Sequence, residues 1–124
     1  MNRASGFTLI ELIAVILILG ILAITAAPQF LDPSTSARNA AVQGVAGALG
    51  SASSLNYAKR SLTSGAGFAI TDCTNVSQAL AGSVMPTGYT INAGAVANGS
   101  TATCTVVATG FAGVSATFVA LGIN

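Results

Sequence analysis

A chain of 124 residues that is 52% hydrophobic and only 6% charged has room for one small domain beyond any apolar arm. It is too apolar for disorder and too weakly charged for an ordinary soluble monomer, which favours a protein that buries surface in an assembly or a membrane. A net charge of +1 offers little to nucleic acid, and the basic cluster Lys59-Arg60 reads as a solvated helix end.

From Phe7 to Ala27 the only ionisable side chain is Glu11. A helix of that length spans roughly 30 Å, about the thickness of a bilayer's hydrocarbon core. A charged carboxylate at mid-membrane costs about 2.5 to 3.5 kcal/mol, and less near an end. Glu11 therefore either sits close enough to the interface to stay hydrated or protonated, or has a partner. Six residues precede Phe7, with a charge at Arg3 and Gly6 at the junction. A cut after Gly6 leaves a short basic leader and creates an α-amine one helical turn from Glu11. The apolar run follows this junction and stays in the mature chain, unlike that of an ordinary secretory signal.

Gly6-Phe7-Thr8-Leu9-Ile10-Glu11-Leu12 followed by an apolar helix resembles the N-terminus of type IV pilins and pseudopilins. In that family a prepilin peptidase cuts after the glycine and methylates the new N-terminal residue, here Phe7. The family's glutamate falls on Glu11, its helix-interior glycine on Gly20, and its proline after the apolar run on Pro28. The run Ile21 to Leu31, with Thr25-Ala26-Ala27-Pro28-Gln29-Phe30-Leu31, is most similar to pilins of the mannose-sensitive haemagglutinin type. The resemblance is strong to about residue 60 and thin beyond it.

The resemblance implies an α+β fold in which a long N-terminal helix, its apolar half transmembrane, packs on a small antiparallel β-meander head. The chain then divides into a leader (1–6), an apolar helix (7–31), an amphipathic helical half (32–62) and a head of loop and sheet (63–124). It further implies a single-pass precursor in a bacterial inner membrane, and later a subunit of a cell-surface filament serving adhesion or motility. The implied partners are copies of the same chain in a helical filament, the prepilin peptidase, and the assembly platform with its ATPase. A pseudopilin of a type II secretion system, a minor or competence pilin, and a simple single-span anchored protein are the alternatives.

Pro28 removes a backbone donor, so the helix is expected to kink or loosen between Ile24 and Pro28, with Gly20 lowering helix propensity upstream. Asp32-Pro33-Ser34 reads as a second interruption, with Ser34 or Ser36 as N-cap of the next helix. From Ala37 to about Leu62, Ala41, Val45, Ala48, Leu49, Ala52, Leu55, Ala58 and Leu62 recur at helical spacing and are expected to pack on the head. Gly44, Gly47 and Gly50 each cost about 1 kcal/mol relative to Ala. Close approach by a neighbouring subunit, a backbone contact within the fold and a poorly formed helix are the readings of that cost.

Thr63 to Gly67 reads as a loop, Phe68 to Thr71 as a short extended piece, and Ser77 to Ala81 as one helical turn capped by Ser77. Tyr89 to Asn92, Ala102 to Ala108 and Ala116 to Leu121 read as strands. Asn98-Gly99 is a hairpin signal between the first two, and Gly110 to Gly113 connects the last two. With the head outside the cytoplasm, as the resemblance implies, Cys73 and Cys104 are expected to form a disulfide, two buried free thiols being the alternative. No metal or other cofactor is expected: there is no histidine, and the acidic residues Glu11, Asp32 and Asp72 are scattered. Nor is an enzyme expected, since there is no phosphate-cradling glycine loop and no close pair of carboxylates. The last fifty or so residues lack acidic side chains, which disfavours the calcium-binding pseudopilin alternative.

Overall fold

The computed structural model describes residues 6–30 and 33–124. The leader up to Ser5, with Arg3, and the residues Leu31 and Asp32 lie outside them. The chain divides into two compact units, Met1–Ser34 and Thr35–Asn124. In the first, α1 runs over Leu9–Phe30 and is apolar on all sides. Every side chain from Phe7 to Ala26 is exposed, including Ile10, Leu17, Ile21 and Ile24. A helix apolar all round belongs among other helices or in lipid. Leu9–Ala26 is long and apolar enough to cross a membrane. The helical assignment passes through both Gly20 and Pro28.

Helix α2 runs over Pro33–Leu62, and all of it from Thr35 onward belongs to the second unit. Proline at a first helical position sacrifices only an amide that has no intrahelical partner. Ser34 and Ser36, expected as caps, lie inside the helix. Lys59 and Arg60 occupy the last turn, where cations oppose the negative end of the helix dipole.

Three strands follow: β1 (Tyr89–Ile91), β2 (Thr101–Ala108) and β3 (Ser115–Leu121). They form an antiparallel sheet in the order β1-β2-β3, the expected meander. One face of the sheet carries Cys104, Val106, Ala108, Phe118 and Ala120 into a core shared with Val42, Ala46 and Leu49 of α2 and with Ile70, Val76, Val96 and Val114. Fully burying a Val, Leu or Ile side chain is worth roughly 1.5 to 3 kcal/mol, so this cluster is the main adhesive of the head.

The stripe that holds α2 to the sheet differs from the expected one. Leu49 and Ala52 are buried and Val45 is half-buried, but Ala41, Ala48, Leu55, Ala58 and Leu62 are exposed. Val42, Ala46, Ser53 and Asn56 take their place. The two polar residues are the reason. The Leu121 amide donates to Ser53 Oγ at 2.8 Å, and Asn56 both donates to the Phe68 carbonyl and accepts from the Phe68 amide, each at 2.8 Å. A buried face that bonds backbone at these points rotates away from the face that apolar spacing favours.

Loop geometry departs from expectation in three places. The helical turn after the first loop is a 3-10 helix over Cys73–Ala79 capped by Asp72, not a turn capped by Ser77. Asn98-Gly99 does not close a tight hairpin, because residues 92–100 separate β1 from β2 and Ala95 bridges to Asp72 within that span. The turn that Gly99 serves closes on the C-terminus instead, with its amide donating to the Gly122 carbonyl at 2.9 Å. Gly122 is needed there, since a Cβ on it would overlap the Ala97 carbonyl. The extended piece near Phe68 reduces to one bridge, Ile70 to Ile123.

Candidate functional site: the N-terminal helix start

Gly6, Phe7 and Thr8 precede α1 without regular structure, and all three are exposed. A peptidase needs an accessible, non-helical backbone, and the Gly6-Phe7 bond has both properties. Thr8 then stops the chain from fraying. The Thr8 amide and hydroxyl donate to one Glu11 carboxylate oxygen at 2.8 and 2.7 Å, and the Glu11 amide donates back to Thr8 Oγ1 at 3.3 Å. This is a capping box, in which two orphan amides of the helix start are satisfied reciprocally. Its signature, Thr8-Leu9-Ile10-Glu11 ahead of an apolar run, stands in the sequence, but attention to the charge of Glu11 hides it.

With Phe7 still joined to Gly6 there is no α-amine, and the Glu11 carboxylate uses helix-start donors in its place. Glu11 thus sits in the first turn of the apolar helix and not at its middle. Farther along, the Thr25 hydroxyl donates to the Leu22 carbonyl at 3.0 Å, which lets a polar side chain remain in an apolar span. Pro28, three residues on, supplies no amide to the carbonyl of Ile24.

In the second unit Cys73 and Cys104 are joined by a disulfide, with Cα atoms 5.7 Å apart across 31 residues of sequence. It ties the start of the 3-10 helix to the middle of β2. Asp72 reinforces the same corner, accepting from the Thr74 amide at 2.9 Å, the Thr74 hydroxyl at 2.7 Å and the Gly94 amide at 3.0 Å. The Thr74 amide above all, then its hydroxyl, hold the Asp72 carboxyl below the ordinary carboxylate range. Every ligand of this carboxylate is thus a hydrogen-bond donor of the fold, which makes Asp72 a loop staple.

An exposed, predominantly apolar helix that begins just after an accessible Gly-Phe bond, attached in sequence to a disulfide-closed α+β head, defines a chain whose N-terminal segment is long and apolar enough to cross a membrane. Residues 1–27 match the family described as the prokaryotic N-terminal methylation motif. The chain is also 52% identical over 50 residues to the type IV narrow pilus major component PilA5 of Thermus thermophilus. That stretch is 40% of this chain and 43% of the relative, so the chain spans less than half the length of the curated relative it matches. Both matches support the type IV pilin family. No solved structure matches the chain.

Proposed function

We propose that this chain is a type IV pilus subunit, a structural protein whose apolar helix anchors it in a bacterial inner membrane before assembly and becomes filament core afterwards. The observation that carries this reading is the exposure of every apolar side chain of α1 from Leu9 to Ala26, directly after Gly6-Phe7-Thr8. Such a surface is tolerable only in lipid or among like helices. A prepilin peptidase cuts between Gly6 and Phe7 and methylates Phe7, and an assembly platform with its ATPase moves the subunit from membrane to surface. The capping box holds Glu11 until the cut. The new α-amine of Phe7, basic with an unperturbed pKa near 8, then competes with Thr8 for the carboxylate, within the subunit or from a neighbour. An intersubunit pair sets register, since a subunit at the wrong height leaves both charges unmatched. Gly20 and Pro28 are the points where α1 stretches as it packs.

Adhesion or motility is the work proposed for the fibre. Within the family the run Thr25 to Leu31 favours the mannose-sensitive haemagglutinin type, and the similarity to a pilus major component favours a pilin over a secretion-system pseudopilin. Intact-mass analysis of sheared surface fibres tests the reading. The expected species begins at Phe7 with a methylated amine; residues 1–6 retained in assembled protein would overturn the processing, and a chain never found in fibres would overturn the function.

A further inference from the structure

Strand β3 ends the sheet, and its register shows which of its backbone groups have nowhere to bond. The Gly122 amide donates to the Ser100 carbonyl, which makes Leu121 and Thr101 a pair whose own amides and carbonyls point away from each other. By alternation Ser115, Thr117 and Val119 of β3 also point outward. The Leu121 amide donates to Ser53 Oγ of α2. Among the described residues the outward groups of Thr117 and Val119 have no partner. Natural edges are guarded by charge, proline, bulges or a covering element. Residues 115–121 contain neither a charge nor a proline, and they pair with β2 without a bulge.

Beside this edge lies a groove of 850 Å³ whose α2 wall includes Gly47, Gly50, Ser51 and Ser54, and whose other wall is β3. A Cβ added to Gly44, Gly47 or Gly50 would meet nothing within 4 Å, so no packing among the described residues accounts for these glycines. Between Gln43 and Leu55 the α2 side of the groove carries only small side chains beside β3.

The same chain offers that strand. At the opposite edge of the sheet, Asn92 donates to Thr105 and Thr109 donates to Gly88, so Tyr89 and Ile91 of β1 turn their own amides and carbonyls outward, again without partners. Residues 89–91 are uncharged, as is every side chain lining the groove. Because β1 and β3 are both antiparallel to β2, they run in the same direction, and copies that keep one orientation can join β1 to β3 as a parallel pair.

We propose that the open β3 edge and its glycine-walled groove receive the β1 edge of a second copy of this chain, extending the sheet from head to head. Donor and acceptor edges lie on opposite sides of one head, so the contact is heterologous and propagates instead of closing into a dimer. That agrees with a filament, and the proposal rests on the filament reading for the copies to be brought together.

The test is a cysteine pair in the full chain on assembled fibres. Thr90 and Thr117 are exposed, and among the described residues neither side chain makes a hydrogen bond, so Thr90→Cys with Thr117→Cys places one thiol at each edge. Mild oxidation of fibres should give a ladder of dimers, trimers and higher species from the double variant and none from either single variant. Fibres without a ladder would overturn the docking while leaving the filament reading intact, and a wild-type chain that forms no fibres would overturn both. A dimer from Thr117→Cys alone would show β3 meeting β3, which also overturns the proposal. As a second readout, Val119→Lys adds a guard charge on the outer face of the edge, where Val119 is 49% exposed. It should abolish fibres while the disulfide and thermal unfolding of the head stay as in wild type; fibres of unchanged number and length would refute the contact.

Discussion

Glu11 has two separable capacities, a hydrogen-bond acceptor in a capping box and a negative charge. Glutamine serves the N3 position of such a box nearly as well as glutamate, whereas alanine does not. Glu11→Gln therefore keeps the helix start and removes the charge, and Glu11→Ala removes both. If the charge pairs with a neighbour's α-amine, both variants insert and lose their leader but fail to form fibres, as counted by electron microscopy. Fibres from Glu11→Gln at wild-type numbers would assign the residue to helix capping alone. Thr8→Val probes the cap from its other side and should weaken the helix start by about 1 kcal/mol, read as faster amide exchange at residues 8–12 in micelles. Asp72 gives a pH prediction whose sign follows from its hydrogen bonds. Its folded-state pKa is depressed, so its contribution is fully present above the unfolded value of about 3.9 and is lost as pH falls through the folded value. The melting temperature of detergent-solubilised protein should fall below about pH 4, and Asp72→Asn should flatten that acid limb.

At the scale of elements, the head is held by a few bonds from α2 to backbone that would otherwise be orphaned in the core. Asn56 is 5% exposed and satisfies both backbone groups of Phe68. Asn56→Ala leaves two groups unpaired and should cost about 2 to 4 kcal/mol, taking roughly 1 to 2 for each lost partner. Asn56→Asp keeps only the acceptor and should fall between. Gly67 adopts φ +74°, and a Cβ there would come within 2.6 Å of Asn56 Oδ1, so Gly67→Ala should loosen the same joint. Chemical denaturation of the full chain in micelles reads all three. The disulfide closes 31 residues, and by loop-closure entropy it contributes roughly 3.5 kcal/mol. Cys73→Ser should therefore leave a head that is degraded or fails to assemble. At the N-terminal end of α2, the Arg38 guanidinium lies 3.9 Å from the centroid of the Phe111 ring and ties the β2–β3 turn to the helix.

For the whole molecule, the two units solve opposite problems. The Thr35–Asn124 unit buries its apolar residues against itself, while Leu9–Ala26 of α1 buries none of its own. A chain with this division is incomplete as a monomer in water, since the exposed apolar side chains between Phe7 and Ala26 demand lipid or neighbours. Removing α1 should therefore change solubility and not the fold of the head. A fragment starting at Thr35 is expected to be soluble and oxidised, with the unfolding midpoint of the full chain in micelles; a fragment that aggregates or unfolds would show that the head depends on α1.

The apolar helix with Glu11 in its first turn, the meander and the disulfide partners were legible in the sequence because each rests on local pattern or on a single pair of residues. A run of apolar side chains needs no knowledge of neighbours to be recognised, and three β-rich segments with turn residues between them order themselves. The buried face of α2 was not legible. Spacing favoured Ala48, Leu55 and Leu62, but Ser53 and Asn56 point inward because the Leu121 amide and the Phe68 backbone need partners there. Those needs arise only once strand and loop are brought against the helix. The Asn98-Gly99 turn likewise bonds to Gly122, far along the chain, and not across a hairpin. Sequence determined which segments are helix, strand and apolar arm; tertiary structure alone decided which faces meet, because a buried polar atom chooses its partner from what the fold places within about 3 Å of it.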